Sequence, residues 1–435
     1  MTNFKDLGLI APILSALEKK GYTKPTAIQE KSIPHLLANR DLLGIAQTGT
    51  GKTAAFALPI LDNLAKKKRH LIPNEVRALI LTPTRELASQ ISDNIKVYGR
   101  DLGLSHIVIF GGTSINNQIR DMKRGFDIAV ATPGRLLDLM NRGAVRLDKI
   151  EIFVLDEADR MLDMGFIYDV KRIIFKLPQK RQTLFFSATM PHDIANLAGS
   201  ILKDPVKVEI TPQATTVEKI DQRINFVDKA NKPLLLKSIL GQEDVTSVLV
   251  FSKTKHGANR IVKFLENNQI TVASIHGNKS QSAREKALND FRKAKVKVLV
   301  ATDIAARGID IPAISHVINY DIPHDPENYV HRIGRTARAG REGIAISFCD
   351  HSEKGLLKAI EKIIRTTISV DKSHAFHGIK SGGEQQEFID NRSVHKPRRD
   401  FKSSQPRRFF GKNRRRKDGF GKAKNSNSRN FSKND

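Results

Sequence analysis

Short apolar runs, each followed by a segment of helical period, recur along most of the chain. The runs at 128–131, 248–251 and 298–301 are typical: each is rich in aliphatic residues and ends at Thr or Ser. Such runs predict strands that are buried on both faces, with helices as the crossovers of a parallel sheet. The pattern therefore predicts doubly wound α/β architecture, in which ligands bind at the carboxyl ends of the strands.

The strand pattern occurs twice. The matching segments are 79–84 with 249–254, 108–112 with 273–277, and 129–132 with 299–302. The first and third pairs have the same offset of 170 residues, and a chain of 435 residues is long enough for two cores of ordinary size. We therefore expect two related domains, at 1–205 and 217–370, joined by a linker at 206–216.

Positive charge is concentrated near the C-terminus. The chain carries a formal charge of +27, and residues 391–435 alone hold 16 Lys and Arg against three Asp. This segment is rich in Asn, Ser and Gly and has almost no aliphatic residues, so it cannot build a core. We expect residues 371–435 to form a disordered basic tail. The charge of the whole chain favours a polyanionic partner, either nucleic acid or an anionic membrane surface.

Several classes of protein are excluded by the composition. No apolar stretch approaches the roughly 18 residues that a transmembrane helix needs, and Lys5 and Asp6 stand where a signal sequence would become apolar. The single cysteine, Cys349, rules out an intramolecular disulfide and a cysteine-rich metal site, and we expect it to be a small buried residue. These features predict a cytoplasmic protein that does not span a membrane.

An acidic box follows one of the apolar runs. Asp156 and Glu157 come directly after the run at 152–155, with Asp159 two residues later. A carboxylate at a strand end suits Mg²⁺, and a second one beside it suits the activation of water. We therefore expect Asp156 to hold the metal and Glu157 to face the attacking water.

A phosphate-binding loop lies upstream of the acidic box. The strict pattern GxxxxGK[ST] asks for glycine where this chain has Ala46, but its essential part, at 49–53, is intact. Glycines there let backbone N–H groups face phosphates at the start of a helix. Lys52 is predicted to reach the β and γ phosphates, and Thr53 to bind Mg²⁺. The two motifs together predict hydrolysis of a nucleoside triphosphate.

With its motifs taken in order, the chain from about Phe4 to Ser369 resembles the DEAD-box ATP-dependent RNA helicases. The ordered set is GYTKPTAIQ at 21–29, AQTGTGKT at 46–53, PTRELA at 83–88, TPGR at 132–135, DEAD at 156–159, SAT at 187–189, ATD with Asp310 at 301–310, and HRIGRTARAG at 331–340. Within the family the chain is similar to bacterial members of the RhlE type. The resemblance implies two tandem RecA-like domains, each a doubly wound parallel sheet, with ATP as substrate and Mg²⁺ as cofactor.

The resemblance also assigns the nucleotide contacts. They are Phe4, Tyr22, Gln29, Ala46, Gln47, Thr48, Gly49, Thr50, Gly51, Lys52, Thr53, Gly308 and Asp310. The Gln29 carboxamide carries a donor and an acceptor and so can pair with adenine N6 and N7. Phe4 or Tyr22 would provide a stacking surface, with an ordinary place in the core as the alternative.

The second domain has no phosphate loop and would complete the ATP site. Arg335 and Arg338 are implied to act as arginine fingers, which contribute about a thousandfold or more to phosphoryl transfer. The alternative is that Arg332, Arg335 and Arg338 form a solvated basic face. The resemblance implies that four residues couple the acidic box to domain movement: Asp159, Ser187, Ala188 and Thr189. For Ser187 and Thr189 the alternative is a simple strand-end turn.

The predicted RNA contacts lie at strand ends and helix starts. They are Pro83, Thr84, Arg85, Gly111, Gly112, Thr132, Pro133, Gly134 and Arg135 in the first domain, and Thr254, Gly277, Arg284 and Thr302 in the second. Hydroxyls, arginines and helix N-termini contact phosphate and sugar oxygens without reading sequence. Because the chain has no Trp and only 6% aromatic residues, we expect no run of base-stacking platforms.

Three functions are compatible with these motifs. The first is an RNA-stimulated ATPase that separates short duplexes, the second an ATP-gated RNA clamp or ribosome-assembly scaffold, and the third a DNA helicase with the same engine. The preference for RNA over DNA comes from the resemblance alone. Ribosomal particles and RNA-degradation machinery are candidate partners, and no oligomeric state is indicated. The tail, with phenylalanines among its cations, is predicted to tether RNA, or else only to keep the protein soluble.

Overall fold

Two parallel sheets of seven strands each form the framework of the protein. The computed structural model describes residues 2–47, 49–210, 220–306, 314–337 and 343–377. Predictions for Thr48, Gly308, Asp310 and Arg338, for most of the linker, and for the tail beyond 377 lie outside the described residues. We refer to residues 2–210 as the first half and to residues 220–377 as the second half.

The first half alternates strands and helices. Its strands are β1 (Leu42–Ile45), β2 (Val76–Leu81), β3 (His106–Ile109), β4 (Phe126–Ala131), β5 (Ile152–Leu155), β6 (Gln182–Ser187) and β7 (Val206–Glu209). Its helices are α1 (Ala11–Lys19), α2 (Ala27–Leu37), α3 (Lys52–Lys66), α4 (Arg85–Tyr98), α5 (Ile115–Met122), α6 (Pro133–Asn141), α7 (Ala158–Asp163), α8 (Ile167–Ile174) and α9 (His192–Ile201), and a 3-10 turn spans Phe4–Leu7.

The second half follows the same plan. Its strands are β8 (Ile220–Phe226), β9 (Val248–Phe251), β10 (Val272–Ile275), β11 (Val298–Ala301), β12 (His316–Asn319), β13 (Gly343–Cys349) and β14 (Ser369–Val370). Its helices are α10 (Lys232–Leu240), α11 (Lys255–Asn267), α12 (Gln281–Arg292), α13 (Asp303–Ala306), α14 (Pro326–Ile333) and α15 (Lys354–Ile364), and a 3-10 turn spans His351–Glu353.

The two sheets have the same topology. The strand order is β3-β4-β2-β5-β6-β1-β7 in the first and β10-β11-β9-β12-β13-β8-β14 in the second, so each strand of the second sheet occupies the place of the strand seven positions earlier. The repeated segments of the sequence fall on the equivalent pairs β2 and β9, β3 and β10, and β4 and β11. The prediction of two doubly wound parallel-sheet halves is confirmed.

Helices cover both faces of each sheet, which explains the continuous apolar runs. In β2, Ala78 and Ile80 pack into one hydrophobic cluster, and Leu79 and Leu81 pack into the cluster on the opposite face. The carboxyl ends of the strands therefore remain the accessible edge where loops can gather polar groups.

The first sheet extends into the segment predicted as a linker. Strand β7, at Val206–Glu209, pairs with β1 as an edge strand. Its residues alternate between buried Val208 and more exposed neighbours, so it lacks the continuous apolar run that marks the central strands. Among the described residues, no helix is both long enough and apolar enough to cross a lipid bilayer.

Candidate functional site

The phosphate-binding loop joins β1 to α3 and is fastened to helix α2. Gly51 has φ +96°, and a Cβ there would lie 2.5 Å from Nε2 of Gln29, so only glycine fits. Gln29 donates from Nε2 to the Gly51 carbonyl oxygen (3.1 Å) and accepts at Oε1 from the Thr26 N–H (3.0 Å). Each group of the carboxamide retains one further donor or acceptor. The side chain is thus oriented and still able to pair with adenine.

Lys52 opens α3 and lies across the loop. Its Nζ donates to the carbonyl oxygen of Ala46 (2.7 Å), and the residue is buried. Thr50 donates from Oγ1 to the Gln47 carbonyl oxygen (2.8 Å), which closes the turn. An ammonium group has three donors, so Lys52 keeps further donors for an anion at the mouth of the loop.

Asp156 directly follows β5 and is almost completely buried. Burial raises the pKa of this carboxyl group to about 7; Lys52 opposes the rise, and the negative charge of Glu157 adds to it. Its Oδ1 has no hydrogen-bond partner among the described residues. A buried carboxylate oxygen without a partner is a group that a hard divalent cation would satisfy.

The donor set fits Mg²⁺ better than a metal held by protein alone. The described residues contain no group of three or more His, Cys, Asp or Glu side chains that could hold an ion. Mg²⁺ is usually bound by one or two carboxylates and by substrate phosphates, and it keeps several waters. Asp156, beside a phosphate loop that ends in Thr53, matches this mode of coordination.

Glu157 stands in a strained conformation among cations. Its φ of 55° places a non-glycine residue in the left-handed region, at the N-terminal cap of α7. Burial raises the pKa of the Glu157 carboxyl group, but the charges of Arg160, Lys52 and Arg335 outweigh burial and lower it overall. Two adjacent carboxylates whose pKa values move in opposite directions are suited to different roles.

Asp159 joins the acidic box to the end of β6. Its Oδ2 accepts from the N–H groups of Ala188 (3.1 Å) and Thr189 (3.0 Å) and from Oγ1 of Thr189 (3.2 Å). Ser187 accepts at Oγ from the Asp159 N–H (3.2 Å) and donates to the Thr189 carbonyl oxygen (2.7 Å). The four residues predicted to couple the box to movement therefore form one network, which is more than a simple strand-end turn.

The second half brings Arg335 to the acidic box. Both halves belong to one compact unit. Arg335 is buried and close enough to Glu157 to lower the pKa of its carboxyl group. Arg160, which follows the box, has its Nη2 3.3 Å from Nδ1 of His331. The acidic box of one half thus meets α14 and the residues just beyond it in the other.

The alternative of a solvated basic face is wrong for Arg332 and Arg335, because both are buried. Arg332 makes a two-pronged ion pair with Asp303, at 2.6 and 2.7 Å, and donates to Oδ1 of Asn319 (3.1 Å). Its guanidinium carbon also lies 5.0 Å from the ring centre of Phe251. Arg332 is therefore a structural residue that fixes α14 against the ends of β9, β11 and β12.

Threonines predicted to contact RNA cap three helices that begin after the carboxyl ends of strands. Thr84, Thr132 and Thr254 are the N-cap residues of α4, α6 and α11, and the Oγ1 atoms of Thr84 and Thr254 accept from backbone N–H groups (3.3 and 2.9 Å). A Cβ added at Gly134 or Gly277 would meet no described atom within 4 Å. The N-terminus of α6, with open space at Gly134, is therefore suited to a phosphate group.

Arg85 and Arg135 flank the glycine pair at the end of β3. A Cβ at Gly112 would lie 2.2 Å from Nη1 of Arg85, so glycine is required for the arginine to occupy this place. Arg135 donates from both terminal nitrogens to the Thr113 carbonyl oxygen, each at 3.2 Å. Two predicted contact arginines thus lie at one loop.

Sequence reasoning missed Gln118, which organises that loop. Its buried Nε2 donates to the Phe110 carbonyl oxygen (3.1 Å) and to Oγ1 of Thr113 (2.9 Å), and its Oε1 accepts from Nη1 of Arg135 (3.2 Å). The one feature that could have indicated this role is the position of Gln118 five residues after Thr113, on the inner face of α5.

Arg284 of the second half is paired with Glu86 of the first. Its Nη2 lies 2.9 Å from Oε1 of Glu86, and both side chains are buried. Burial lowers the pKa of Arg284 and raises that of Glu86, although the partner charges oppose both shifts. Arg284 therefore links the halves, and its predicted contact with RNA stays a prediction. Thr302 caps the short helix α13, where its carbonyl oxygen accepts from Ala305.

The two candidate stacking aromatics differ in exposure. Phe4 is only 5% exposed and packs in the hydrophobic core of the first half. Tyr22 is 38% exposed, and its ring centre lies 6.3 Å from that of Tyr98. Stacking of either ring on adenine stays a prediction.

Both halves match family models. Residues 26–197 match the DEAD/DEAH box helicase family, and residues 231–340 match the helicase conserved C-terminal domain. The ATP-dependent RNA helicase CshA of Listeria monocytogenes is 43% identical over 362 residues, which cover 83% of this chain and 69% of that protein. The RNA helicase CrhR of Synechocystis is 44% identical over 370 residues, which cover 85% and 74%. Similarity to the RhlE type stays a prediction.

Solved structures of helicases show the same fold. The structure of Dbp5 of S. cerevisiae bound to RNA and ADP BeF3 aligns with a TM-score of 0.75 and 34% identity, over 85% of this chain and 95% of that one. Mss116 bound to ssRNA and UDP-BeF aligns with a TM-score of 0.76 and 28% identity, over 85% and 80%. The two sheets are therefore RecA-like domains, and the chain belongs to the DEAD-box ATP-dependent RNA helicases.

Proposed function

We propose that ATP hydrolysis by this helicase is stimulated by RNA because closure of the two halves completes the catalytic site. The observation that carries the proposal is the meeting of Glu157, in the first half, with the charge of Arg335 from the second. Neither half alone contains both groups. RNA bound along both halves would favour their closure and so bring the arginine to the acidic box.

The first half would bind and orient ATP. Gln29 pairs with adenine, and Lys52 and the loop N–H groups hold the phosphates. Thr53 and Asp156 would hold Mg²⁺, which, when bound, neutralises charge on the phosphates. Glu157, kept ionised by its cationic neighbours, orients the attacking water and accepts its proton.

The second half would supply the arginine fingers. Arg335 and Arg338 stabilise charge on the transferred phosphoryl group, and such fingers are worth about a thousandfold or more. The burial of Arg335 supports this role, because a charge removed from water acts more strongly on the transition state.

RNA would be held through its backbone by the capping threonines, the glycines and Arg85 and Arg135. This mode of binding is independent of sequence. A strand held along both halves is bent on closure and loses its partner locally, which costs about 1.4 kcal/mol per base-pair step on the DNA scale. The Asp159 network transmits the state of the ATP site to this movement, because one carboxylate binds both the start of α7 and the end of β6.

The remaining features belong to the same proposal. The basic tail keeps RNA near the groove, and the protein acts in the cytoplasm, with ribosomal particles or RNA-degradation machinery as candidate partners.

Deletion of residues 391–435 should lower RNA affinity and flatten its salt dependence. Unchanged affinity and salt slope would leave the tail a solubilising segment only.

Substitution Glu157→Gln tests the mechanism, because it removes the base but keeps the shape of the side chain. We expect RNA-stimulated ATPase activity to fall by at least about a hundredfold, the usual contribution of a general base, while ATP and RNA binding persist. Glu18→Gln, on the exposed face of α1, is the matched control. Both variants are assayed for ATPase activity, for strand separation and for binding.

The same variant separates a helicase from a clamp. If cellular function survives in Glu157→Gln while hydrolysis is lost, the clamp or scaffold describes the biological role. ATPase stimulation by matched single-stranded RNA and DNA addresses the third function. Equal stimulation by the two would contradict an RNA enzyme.

A further inference from the structure

Helix α8 carries an unusual stripe on its outer face. Val170 and Ile173 are fully buried on its inner face, as the helical period requires. The outer face presents Tyr168, Lys171, Arg172 and the C-cap residue Phe175, which follow the spacing i, i+3, i+4 and i+7 of one side of a helix. Two cations thus lie between two aromatic rings.

The two rings are the most exposed large hydrophobic side chains among the described residues. Phe175 is 83% exposed and Tyr168 is 75% exposed, whereas the other exposed large hydrophobic residues do not exceed 46%. Single exposed apolar residues are common, but two aromatics aligned on one face form a surface. At 1.5 Å per residue, the two positions are separated by about 10 Å along the helix.

The charge around the rings favours an anionic ligand. Lys171, Arg172 and Lys176 are exposed, and Nζ of Lys176 lies 5.7 Å from the ring centre of Phe175. Asp169 is the acid of α8, and its Oδ1 lies 3.9 Å from Nη1 of Arg172. Cations interleaved with flat rings match single-stranded nucleic acid, whose phosphates and bases they bind together.

Helix α8 packs beside a helix that carries predicted RNA contacts. Val170 and Ile173 of α8 pack in the same hydrophobic cluster as Leu136 and Leu139 of α6. Helix α6 has Thr132 as its N-cap and Gly134 and Arg135 in its first turn, and all three belong to the predicted RNA contacts. A strand that leaves the groove beside α6 would therefore have α8 as a neighbour.

We propose that Tyr168, Lys171, Arg172 and Phe175 form an auxiliary site for single-stranded RNA that flanks the segment held in the groove. The bases stack on the two rings, and the cations contact the phosphates. The groove residues include no aromatic side chain, so α8 provides the stacking that they lack. This inference rests on the proposed function only in taking the groove beside α6 as the path of RNA.

A reporter tests the site directly. The sequence has no tryptophan, so Phe175→Trp in the full chain introduces a single tryptophan that keeps the aromatic surface and can be excited selectively over the five tyrosines. Titration with single-stranded RNAs of stepwise increasing length should quench its emission only once the RNA extends past the groove. Ile363→Trp, at an exposed position of the second half, is the matched reporter and should not respond.

Binding measurements provide the second test. Tyr168→Ala with Phe175→Ala should lower the affinity for long RNA by about twenty-five-fold or more, since each lost stack costs about fivefold or more. The affinity for short RNA should not change. Leu234→Ala with Ile363→Ala is the control pair of exposed residues. Lys171→Gln with Arg172→Gln should reduce the salt slope by about 1.4, at about 0.7 per phosphate contact.

The outcomes distinguish this inference from the function on which it rests. Absent quenching, together with unchanged affinity of the double alanine variant for long RNA, would overturn the auxiliary site and leave the stripe as a surface for a protein partner. If short RNA failed to stimulate the ATPase of the unmodified chain, the proposed function itself would be wrong. Because the tail is present in every variant, its contribution cancels.

Discussion

At the scale of single residues, Gln118 links the glycine loop to Arg135. We expect Gln118→Leu to lower RNA affinity by about tenfold, because it removes the amide hydrogen bond to the Phe110 carbonyl oxygen and the contact that helps to orient Arg135, which keeps its bonds to the Thr113 carbonyl oxygen. ATP affinity and RNA-independent hydrolysis should not change, since the Gln118 side chain bonds Phe110, Thr113 and Arg135 and not the residues of the ATP site. Asn117→Leu, on the exposed side of α5, is the control.

A second variant separates positioning from stability. Gln118→Glu keeps an acceptor for Arg135 but loses both donors to the loop. If it restores RNA affinity, the contact with the arginine is what matters. A loss confined to the melting temperature, with RNA affinity preserved in both variants, would contradict a positioning role.

The positions of residues that belong to well-defined motifs could be predicted from the sequence. Gly51, Lys52 and Asp156 lie in the phosphate loop and at the strand end where their motifs predict them. The roles of Gln118 and Arg160 could not be predicted, because their hydrogen-bond partners are distant in the sequence and come close only in the folded structure. An amide on a helix gives no sign of which carbonyl oxygen it will meet.

At the scale of elements, one buried cation holds the loops of the second half. Lys232 begins α10 with 1% exposure, and its Nζ lies 2.7 Å from Glu353, 3.7 Å from Asp350 and 3.9 Å from Asp321. Asp321 in turn accepts from the N–H of Lys253 (2.8 Å), next to the N-cap of α11. Lys232 therefore connects loops that follow β8, β9, β12 and β13.

We expect Lys232→Met to lower the free energy of unfolding by about 3–5 kcal/mol, because three carboxylates lose their buried cation. Denaturant titration would measure the change. Lys237→Met, on the exposed side of α10, should have little effect. A shift of the same size in both variants would show that the network contributes little.

Strands with a continuous apolar run were the predictable elements. Strand β7 was not, because as an edge strand it buries only one side and its Val, Lys, Val and Glu have no continuous run. Helix α8 is a similar case. Its period predicts a helix, but only the structure shows that Tyr168 and Phe175 are exposed and do not pack in a core.

At the scale of the whole molecule, the repeat shows why only the first half carries a phosphate loop. Lys232 begins α10 after β8, the topological equivalent of Lys52, which begins α3 after β1. The loop before Lys232, at 227–231, contains no glycine, so it cannot bring successive N–H groups close to phosphates. Carboxylates of the protein surround Lys232 instead. Lys52 thus keeps donors for a ligand, whereas its counterpart Lys232 stabilises the fold.

The ion pair between Glu86 and Arg284 provides a test of closure. Removing one member of a buried pair costs about 3–5 kcal/mol, so Glu86→Arg or Arg284→Glu alone should weaken the closed arrangement by at least about a hundredfold. The coupling is measured as the ratio of RNA affinities with and without a non-hydrolysable ATP analogue. The double exchange should restore part of the coupling, because the ion pair is re-formed with the two charges exchanged between the halves.

An exposed pair within one half is the control for the exchange. Arg142 and Asp138 lie 2.8 Å apart on the surface of the first half, and reversing them should leave the coupling unchanged. If Arg284 instead contacts RNA directly, as its sequence position predicts, Arg284→Ala lowers RNA affinity even without nucleotide, and Glu86→Ala does not. A closure pair gives the opposite pattern: both alanine variants lose the coupling, and neither changes RNA affinity in the absence of nucleotide, when the halves are not held together.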